Sequence, residues 1–441
     1  MPAPARLLAA AVTVAACVGA QALPAAAADS SQNVVSRGVT IPAFYNPPAE
    51  LPAANGALIR SEPLPLALTL PTLHGPLPGK ATRLMYRTTD STGAPAAVTG
   101  AYIEPTAKWR GGGPRPLVAV APGTMGQGDQ CAASLGLEHP LSLNGQTVSV
   151  GYEDLSIYRL LAKGVAVVVT DYVGLGATDR LHTYVNRLDG GHAVLDAVRA
   201  ARAVQGSTVT TASRVGLFGY SQGGGATAAA AELQPTYAPD VTLAGTYAGA
   251  PPADLTETTK GIDGTDLAGA LGWSLNGFLQ SEPELRPIAE AHLNDKGRAA
   301  LKDLSTMCVG DTIFAYNSAR SADWTSDGTS LAEIIQAEPR LQEFLAQQRI
   351  GTMKPAGPVR VATGVSDNLV PHGQARQLAV DWCGRGAQVT YKPVRLPDVG
   401  RALLNHFAPL LTDQGSAIDW LTDRLSGEPA DSNCAALPGQ P

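Results

Sequence analysis

The sequence has little charge, few aromatic residues and few cysteines. Of its 441 residues, 16% are charged and 5% are aromatic, whereas 44% are hydrophobic. Basic residues are scattered and the formal net charge is −6, which leaves no electrostatic footprint for nucleic acid. Beyond the N-terminal region, no stretch reaches the ~18 uninterrupted apolar residues of a membrane-spanning helix. No internal repeats occur, and the composition favours a well-packed globular protein.

The first 28 residues have the pattern of an export signal. Arg6 precedes an apolar stretch, Leu7–Ala16, that is too short to span a bilayer. Small residues at 26–28 fit a cleavage site, so we expect a secreted chain that begins at Asp29 and has no transmembrane anchor. The alternative is a lipid anchor at Cys17, because Val14-Ala15-Ala16-Cys17 loosely matches a lipoprotein cleavage box.

None of the five cysteines has the spacing of a metal ligand. There is no Cys-x-x-Cys pair and no Cys/His cluster, so we expect no metal site. Removal of residues 1–28 would leave an even number of cysteines in an oxidising compartment, which predicts two disulfides. Three pairings are open among the four residues, which are Cys131, Cys308, Cys383 and Cys434.

The chain begins its regular structure with a predicted hairpin. Residues 29–79 are rich in Pro and Ala and are interpreted as an N-terminal arm across the surface. The hairpin strands are Arg83–Thr89 and Ala97–Glu104, joined by a turn that ends at Gly93.

Short apolar runs then alternate with helical patterns. The alternation predicts an α/β fold, with a mostly parallel sheet covered by helices on both faces. The predicted strands are Pro116–Ala121, Val165–Thr170, Arg214–Phe218, Leu243–Ala248, Val359–Thr363 and Gln388–Val394.

About 110 residues separate the strand ending near Ala248 from the one starting near Val359. This is far more than a crossover helix needs. We interpret 250–356 as a helical cap inserted over the carboxyl ends of the strands, between the core segments 80–249 and 357–441. The alternative is a separate helical domain beside the core. The predicted helices are Leu267–Leu279, Glu284–Leu293, Gly297–Leu304, Leu331–Ala337 and Arg340–Gln348.

A nucleophile motif lies in the middle of the chain. Gly219-Tyr220-Ser221-Gln222-Gly223 fits G-x-S-x-G, directly after an apolar strand and before an Ala-rich helical run. The serine of this motif occupies a strained turn, so Gly219 and Gly223 supply the room that the turn needs. We therefore predict Ser221 as a nucleophile.

A serine hydroxyl needs a base and an orienting acid, which follow here in the order Ser, acid, His. Asp367 comes just after a predicted strand and is the preferred acid. Asp398 is its rival, although it lies in a connection rather than at a strand end. His406 is the predicted base because it is the only histidine after His372.

An oxyanion hole needs two N–H groups aimed at the developing charge. One is expected from Gln222, the residue after the nucleophile. The other should follow the strand that ends at Ala121, and the Thr124 N–H is proposed. Gly123 and Met125 remain alternatives for this second donor.

Five segments carry a resemblance to a known family: Pro122-Gly123-Thr124, Gly128–Ser134, Thr170–Gly176, Gly219–Gly224 and Asp367–Pro371. Together these segments resemble the secretory lipase family, extracellular enzymes of yeasts and actinobacteria. The resemblance implies an α/β-hydrolase with a helical cap, acting on acylglycerols or simpler esters without a cofactor. It also implies the disulfides Cys131–Cys308 and Cys383–Cys434. One departure is Thr124, where yeast lipase A has an acidic residue.

The functional expectation is a secreted serine hydrolase of acyl esters, a lipase, that acts through an acyl-enzyme. The alternatives are a short-chain carboxylesterase, an acyltransferase or a non-catalytic binding protein. Cutinases share the pentapeptide but are much shorter and lack a large cap. A set of cap residues could line an acyl tunnel or simply form helix core: Leu267, Leu271, Trp273, Leu275, Phe278 and Leu279.

Overall fold

The computed structural model describes residues 32–441 except 73, 74 and 145. The predicted signal at 1–28 and the alternative anchor at Cys17 lie outside the described residues. Within the described ranges, no helix combines the length and the apolar character needed to cross a bilayer.

The described chain alternates strands and helices. The strands are β1 Val34–Ser36, β2 Val39–Ile41, β3 Leu58–Leu64, β4 Gly79–Thr89, β5 Pro95–Pro105, β6 Leu117–Ala121, β7 Leu141–Asn144, β8 Thr147–Val150, β9 Ala166–Thr170, β10 Val215–Tyr220, β11 Leu243–Gly249, β12 Val359–Gly364 and β13 Val389–Val394. The α-helices are α1 Ala133–Gly136, α2 Asp154–Ala162, α3 Arg187–Ala203, α4 Gln222–Tyr237, α5 Leu255–Ile262, α6 Ala270–Ser281, α7 Arg286–His292, α8 Asp295–Leu304, α9 Val309–Ala315, α10 Leu331–Ala337, α11 Pro339–Gln348, α12 His372–Gly384 and α13 Ala402–Ser426.

Nine strands form the central sheet in the order β13-β12-β11-β10-β6-β9-β5-β4-β3. The six strands from β13 to β9 run parallel, and β5, β4 and β3 continue the sheet as antiparallel neighbours. The predicted α/β class is confirmed. Within residues 29–79, which we interpret as an N-terminal arm, the structure places Leu58–Leu64 in the sheet as its edge strand β3.

Both faces of the sheet are covered at its inner strands β6 and β9, which are almost wholly apolar. All five residues of β6 and all five of β9 are buried. In β6, Val118 and Val120 pack in a core with residues of α2 and α13, whereas Leu117 and Ala119 pack with residues of α3 and α4. Successive side chains of a strand point to opposite faces of the sheet, so a continuous apolar run contributes side chains to the hydrophobic core on each face.

The connection from β11 to β12 contains seven helices, α5 to α11, and we call residues 250–358 the helical insertion. Its predicted helices correspond to α6, α7, α8, α10 and α11. Helices α5 and α9 were not predicted. The α5 segment, Leu255–Ile262, contains three Thr residues and a Gly, which have low helix propensity. The α9 segment, Val309–Ala315, spans only seven residues.

Two disulfides connect segments that are distant in the chain. Cys131 is bonded to Cys308, which joins the loop after β6 to the helical insertion. Cys383 is bonded to Cys434, which ties the end of α12 to the C-terminal tail. This is the pairing implied by the family resemblance.

Candidate active site

Ser221 sits on a strained turn between β10 and α4. Its backbone has φ 58° and ψ −125°, a conformation that non-glycine residues rarely adopt. A Cβ at Gly219 would collide with the backbone of Gly223, and a Cβ at Gly223 would collide with the carbonyl of Ala121. Only glycine at both positions lets strand and helix approach closely enough to form this turn.

Asp367 and His406 meet as a buried pair. His406 Nδ1 lies 2.7 Å from Asp367 Oδ2, and both residues are buried, with 4% and 1% of their surfaces exposed. The other carboxylate oxygen accepts from the N–H groups of Leu369 and Val370 at 3.1 and 3.0 Å. An ionised carboxylate only accepts, so the imidazole carries its proton on Nδ1 and leaves the lone pair on Nε2.

Tyr220 places His406 next to the turn that carries the serine. Its hydroxyl donates to the His406 carbonyl at 2.7 Å, and the two rings lie 5.2 Å apart. His406 Nε2 is buried and has no hydrogen-bond partner among the described residues, so it is not bonded to Ser221. The structure thus brings Asp367 and His406 together and leaves the reactive nitrogen of the imidazole unengaged.

The rival residues are occupied elsewhere. Asp398 is exposed and accepts from the Gly400 N–H at 2.8 Å and from Asn405 Nδ2 at 2.7 Å. His372 binds the Gly364 carbonyl through Nδ1 and lies 3.1 Å from the Tyr391 hydroxyl through Nε2. Neither of them forms a pair that resembles Asp367–His406.

The two predicted oxyanion residues lie in different segments, Gln222 at the start of α4 and Thr124 in the loop after β6. Gln222 is the first residue of α4, where a backbone N–H has no partner within the helix. In the loop after β6, the Gly123 N–H donates to Glu153 Oε1 at 2.8 Å, so Gly123 is not a free donor. This leaves the N–H groups of Thr124 and Met125 as candidates for the second donor.

Buried titratable groups surround the loop after β6 and the start of α4. Burial raises the pKa of Glu153 to about 7, against the opposing hydrogen bonds from Gly123 and Ser156. Burial lowers the pKa of His182 to about 4, and His182 Nε2 lies 2.9 Å from Gln222 Nε2. Sequence reasoning assigned no role to Glu153 or to His182. No local motif marks either one.

Ser221 and Gln222 form part of the wall of an apolar cavity. Its unoccupied volume is about 1290 Å³ including the open part, and most of the wall comes from α5, α6, α7, α10 and α11. Trp273 is instead buried in the insertion core, where Nε1 donates to the Leu304 carbonyl at 2.9 Å. Of the six residues considered for an acyl tunnel or for helix core, five line the cavity, namely Leu267, Leu271, Leu275, Phe278 and Leu279.

Charged and metal-binding groups are sparse in this region. The part of the cavity wall formed by described residues contains no Asp, Glu, Lys or Arg. Across the described chain, no three His, Cys, Asp or Glu side chains cluster as metal ligands do. The site thus combines a serine hydroxyl on a strained turn, a buried imidazole–carboxylate pair beside that turn and an apolar cavity.

Comparison with known proteins agrees with this geometry. Residues 137–433 match the family model described as "Secretory lipase". The chain belongs to the secretory lipase family. Its relatives include a probable inactive lipase of Mycobacterium tuberculosis, 31% identical over 88% of this chain and 82% of the relative. Lipase 10 of Candida albicans is 26% identical over 90% of this chain and 84% of the relative.

A solved structure extends the comparison to the fold of this secretory lipase family member. Candida antarctica lipase A in its closed state superimposes with a TM-score of 0.73, covering 88% of this chain and 86% of that one at 22% identity. The shared fold is the α/β-hydrolase fold with an inserted cap. Family and fold together identify a lipase-like hydrolase.

Proposed function

We propose that the chain is a secreted lipase that hydrolyses acyl esters through Ser221, Asp367 and His406. The observation that carries the proposal is the buried Asp367–His406 pair, held by Tyr220 beside the strained Ser221 turn. Secretion belongs to the proposal because the family is secretory and because two disulfides suit an oxidising compartment.

The mechanism is a two-step acyl transfer. His406 Nε2 takes the proton of Ser221 Oγ as that oxygen attacks the ester carbonyl, and Asp367 stabilises the imidazolium through Nδ1. The Gln222 N–H and the Thr124 N–H stabilise the oxyanion. His406 then returns the proton to the departing alcohol, and water attacks the acyl-enzyme with His406 as base. No other described residue is hydrogen-bonded to Nε2, so its lone pair can accept the proton of Ser221.

The cavity favours an acyl substrate. Its wall of aliphatic and aromatic side chains can bury the hydrocarbon part of an ester, and each buried methylene contributes about 0.8 kcal/mol. The five leucine and phenylalanine residues already described line the same cavity as Ser221. A long acyl chain would therefore gain more binding energy than a short one.

One relative is named as a probable inactive lipase, so family membership alone does not establish activity. Activity of this chain is supported by its own residues. Ser221 occupies the strained turn and the Asp367–His406 pair is complete.

A fluorescent alkyl phosphonate and a series of esters test the proposal. The phosphonate should label the wild-type protein and not Ser221→Ala. Wild-type protein should hydrolyse p-nitrophenyl esters from acetyl to palmitoyl and also emulsified triacylglycerol, with Ser221→Ala as the matched control. Equal labelling of both proteins would refute the role of Ser221. Activity restricted to the shortest esters would indicate a carboxylesterase, and ester products with added alcohols would indicate an acyltransferase.

A further inference from the structure

We propose that the segment His182–Tyr184 positions the oxyanion hole, with His182 holding Gln222 and Tyr184 holding Thr124. The inference rests on the proposed function, because it assigns Gln222 and Thr124 to the oxyanion hole. Neither His182 nor Tyr184 is required as a donor or base in the mechanism. Both act through the residues that they contact.

His182 fixes the side chain of Gln222. The imidazole is buried, with 1% of its surface exposed, and Nδ1 lies 3.0 Å from the Val173 carbonyl. A carbonyl only accepts, so Nδ1 carries the proton and Nε2 of the neutral ring is an acceptor. Gln222 Nε2 then donates to this nitrogen over 2.9 Å. Burial also lowers the pKa of His182, which favours the neutral imidazole with Nε2 as an acceptor.

Tyr184 fixes the other oxyanion residue. Its hydroxyl lies 2.7 Å from Thr124 Oγ1, and both groups are buried. Thr124 is held a second time through its carbonyl, which accepts from the Tyr152 hydroxyl at 2.9 Å. Thr124 is therefore fixed at both its side chain and its backbone.

The positioning segment is itself held by the helical insertion. Gln127 Nε2 donates to the carbonyls of both His182 and Trp273, at 2.9 and 3.0 Å. The backbone N–H and carbonyl of Leu181 both bind the side chain of Gln280, each at 2.8 Å. The ring of Tyr184 lies 5.6 Å from that of Trp273. Helix α6, which carries Trp273 and Gln280, thus clamps the segment against the core.

This arrangement matters because an oxyanion hole works by preorganisation. Its donors stabilise the transition state only if they already point at the developing charge, and loss of one donor costs about 10²–10³ in kcat. A loosened support displaces a donor without removing it, so a loss of roughly 10-fold to 100-fold is expected. For the His182 variants the loss should fall on kcat, because His182 is not among the described residues that line the apolar cavity.

A matched pair of variants tests the His182 contact. In His182→Asn the side-chain amide can replace Nδ1 and donate to Val173 but is too short to reach Gln222. In His182→Gln the longer amide can present an oxygen to Gln222. We expect His182→Asn to lose kcat by about 10-fold to 100-fold with little change in KM, and His182→Gln to recover most of the loss. Active-site titration with the phosphonate corrects each rate for folded enzyme.

Double-mutant cycles decide whether the two residues act through their partners. In a Gln222→Ala background, His182→Asn should have little further effect, and Tyr184→Phe should likewise add little to Thr124→Val. The inference is overturned if, in both cycles, the loss of kcat in the double variant is the product of the losses in the two single variants. It is also overturned if neither His182→Asn nor Tyr184→Phe lowers kcat. Wild-type ester hydrolysis is measured first, so failure of the proposed function is recognised separately. If His182→Asn does not fold, the Tyr184 cycle alone decides.

Discussion

His406 Nδ1 donates to Asp367 Oδ2 over 2.7 Å, although 39 residues separate the two in the chain. Asp367 follows the last residues of β12, and His406 lies in the first turns of α13. The acid is held from behind by the N–H groups of Leu369 and Val370. The pair is therefore preorganised by backbone, and its chemical consequence can be tested directly.

Asp367→Asn should reduce kcat by about 10³–10⁴-fold with little change in stability. An asparagine oxygen can still accept from Leu369 and Val370, but an amide N–H facing His406 would favour the wrong imidazole tautomer. Steady-state hydrolysis of a short soluble ester measures the effect. Asp398→Asn is the matched control, since Asp398 is exposed and contacts Asn405 rather than His406. Equal losses in the two variants would contradict the assignment of Asp367.

Gly223→Ala should unfold or inactivate the protein, because a Cβ there would collide with the Ala121 carbonyl. The backbone on both sides would have to move, which we expect to cost roughly 3 kcal/mol or more. Thermal melting and phosphonate labelling measure the two effects. The control is Gly415→Ala in the middle of α13, where the new Cβ would meet open space. That change should raise stability by about 0.5–1 kcal/mol, so a loss of stability there would contradict this account.

The sheet and the serine turn were predictable because their signals are local. Buried parallel strands are continuous apolar runs, and the runs at 214–218 and 359–363 correspond to β10 and β12. The two glycines that flank Ser221 are required by the close approach of the turn to an adjacent strand. A short sequence motif is therefore enough to predict the turn. The order of acid and base along the chain pointed to Asp367 and His406, which the structure brings together.

The supports of the site were not predictable because each is a single long-range contact. Gly123 and Glu153 lie 30 residues apart, Gln222 and His182 lie 40 apart, and Thr124 and Tyr184 lie 60 apart. None of these pairs has a periodicity or a motif. Only the packing of the loops against α2 and α6 shows which polar side chains meet.

Leu275→Trp should shift the acyl preference toward shorter chains. Leu275 lies on α6 and lines the cavity. A larger side chain at this position reduces the cavity volume that a long acyl group needs and hardly affects a short one. We expect the ratio of palmitoyl to butyryl ester hydrolysis to fall by at least about 10-fold, as for a few methylenes in an apolar pocket. Leu411→Trp is the control, because Leu411 is exposed on α13. An unchanged ratio in Leu275→Trp would show that the acyl chain lies elsewhere.

Glu153→Gln should flatten the pH dependence of stability. Burial raises the pKa of Glu153 from 4.5 to about 7 in the folded protein, so the folded chain binds this proton more tightly than the unfolded chain does. The free energy of unfolding therefore falls as the pH rises from about 4.5 to about 7, and is constant above that. The contribution of this one group is about 3 kcal/mol.

The variant keeps the native contacts of the carboxylate. Its amide oxygen can accept from the Gly123 N–H, and its NH₂ can donate to Ser156 Oγ, which lies 3.3 Å from the carboxylate in the native protein. Asp129 and Asp154 also have pKa values raised to about 7 by burial, so some pH dependence will remain. Urea unfolding at about pH 5 and about pH 8 should show a smaller loss of stability in Glu153→Gln than in the wild type. If the free energy of unfolding falls by the same amount in both proteins, Glu153 does not titrate between these pH values as its burial implies.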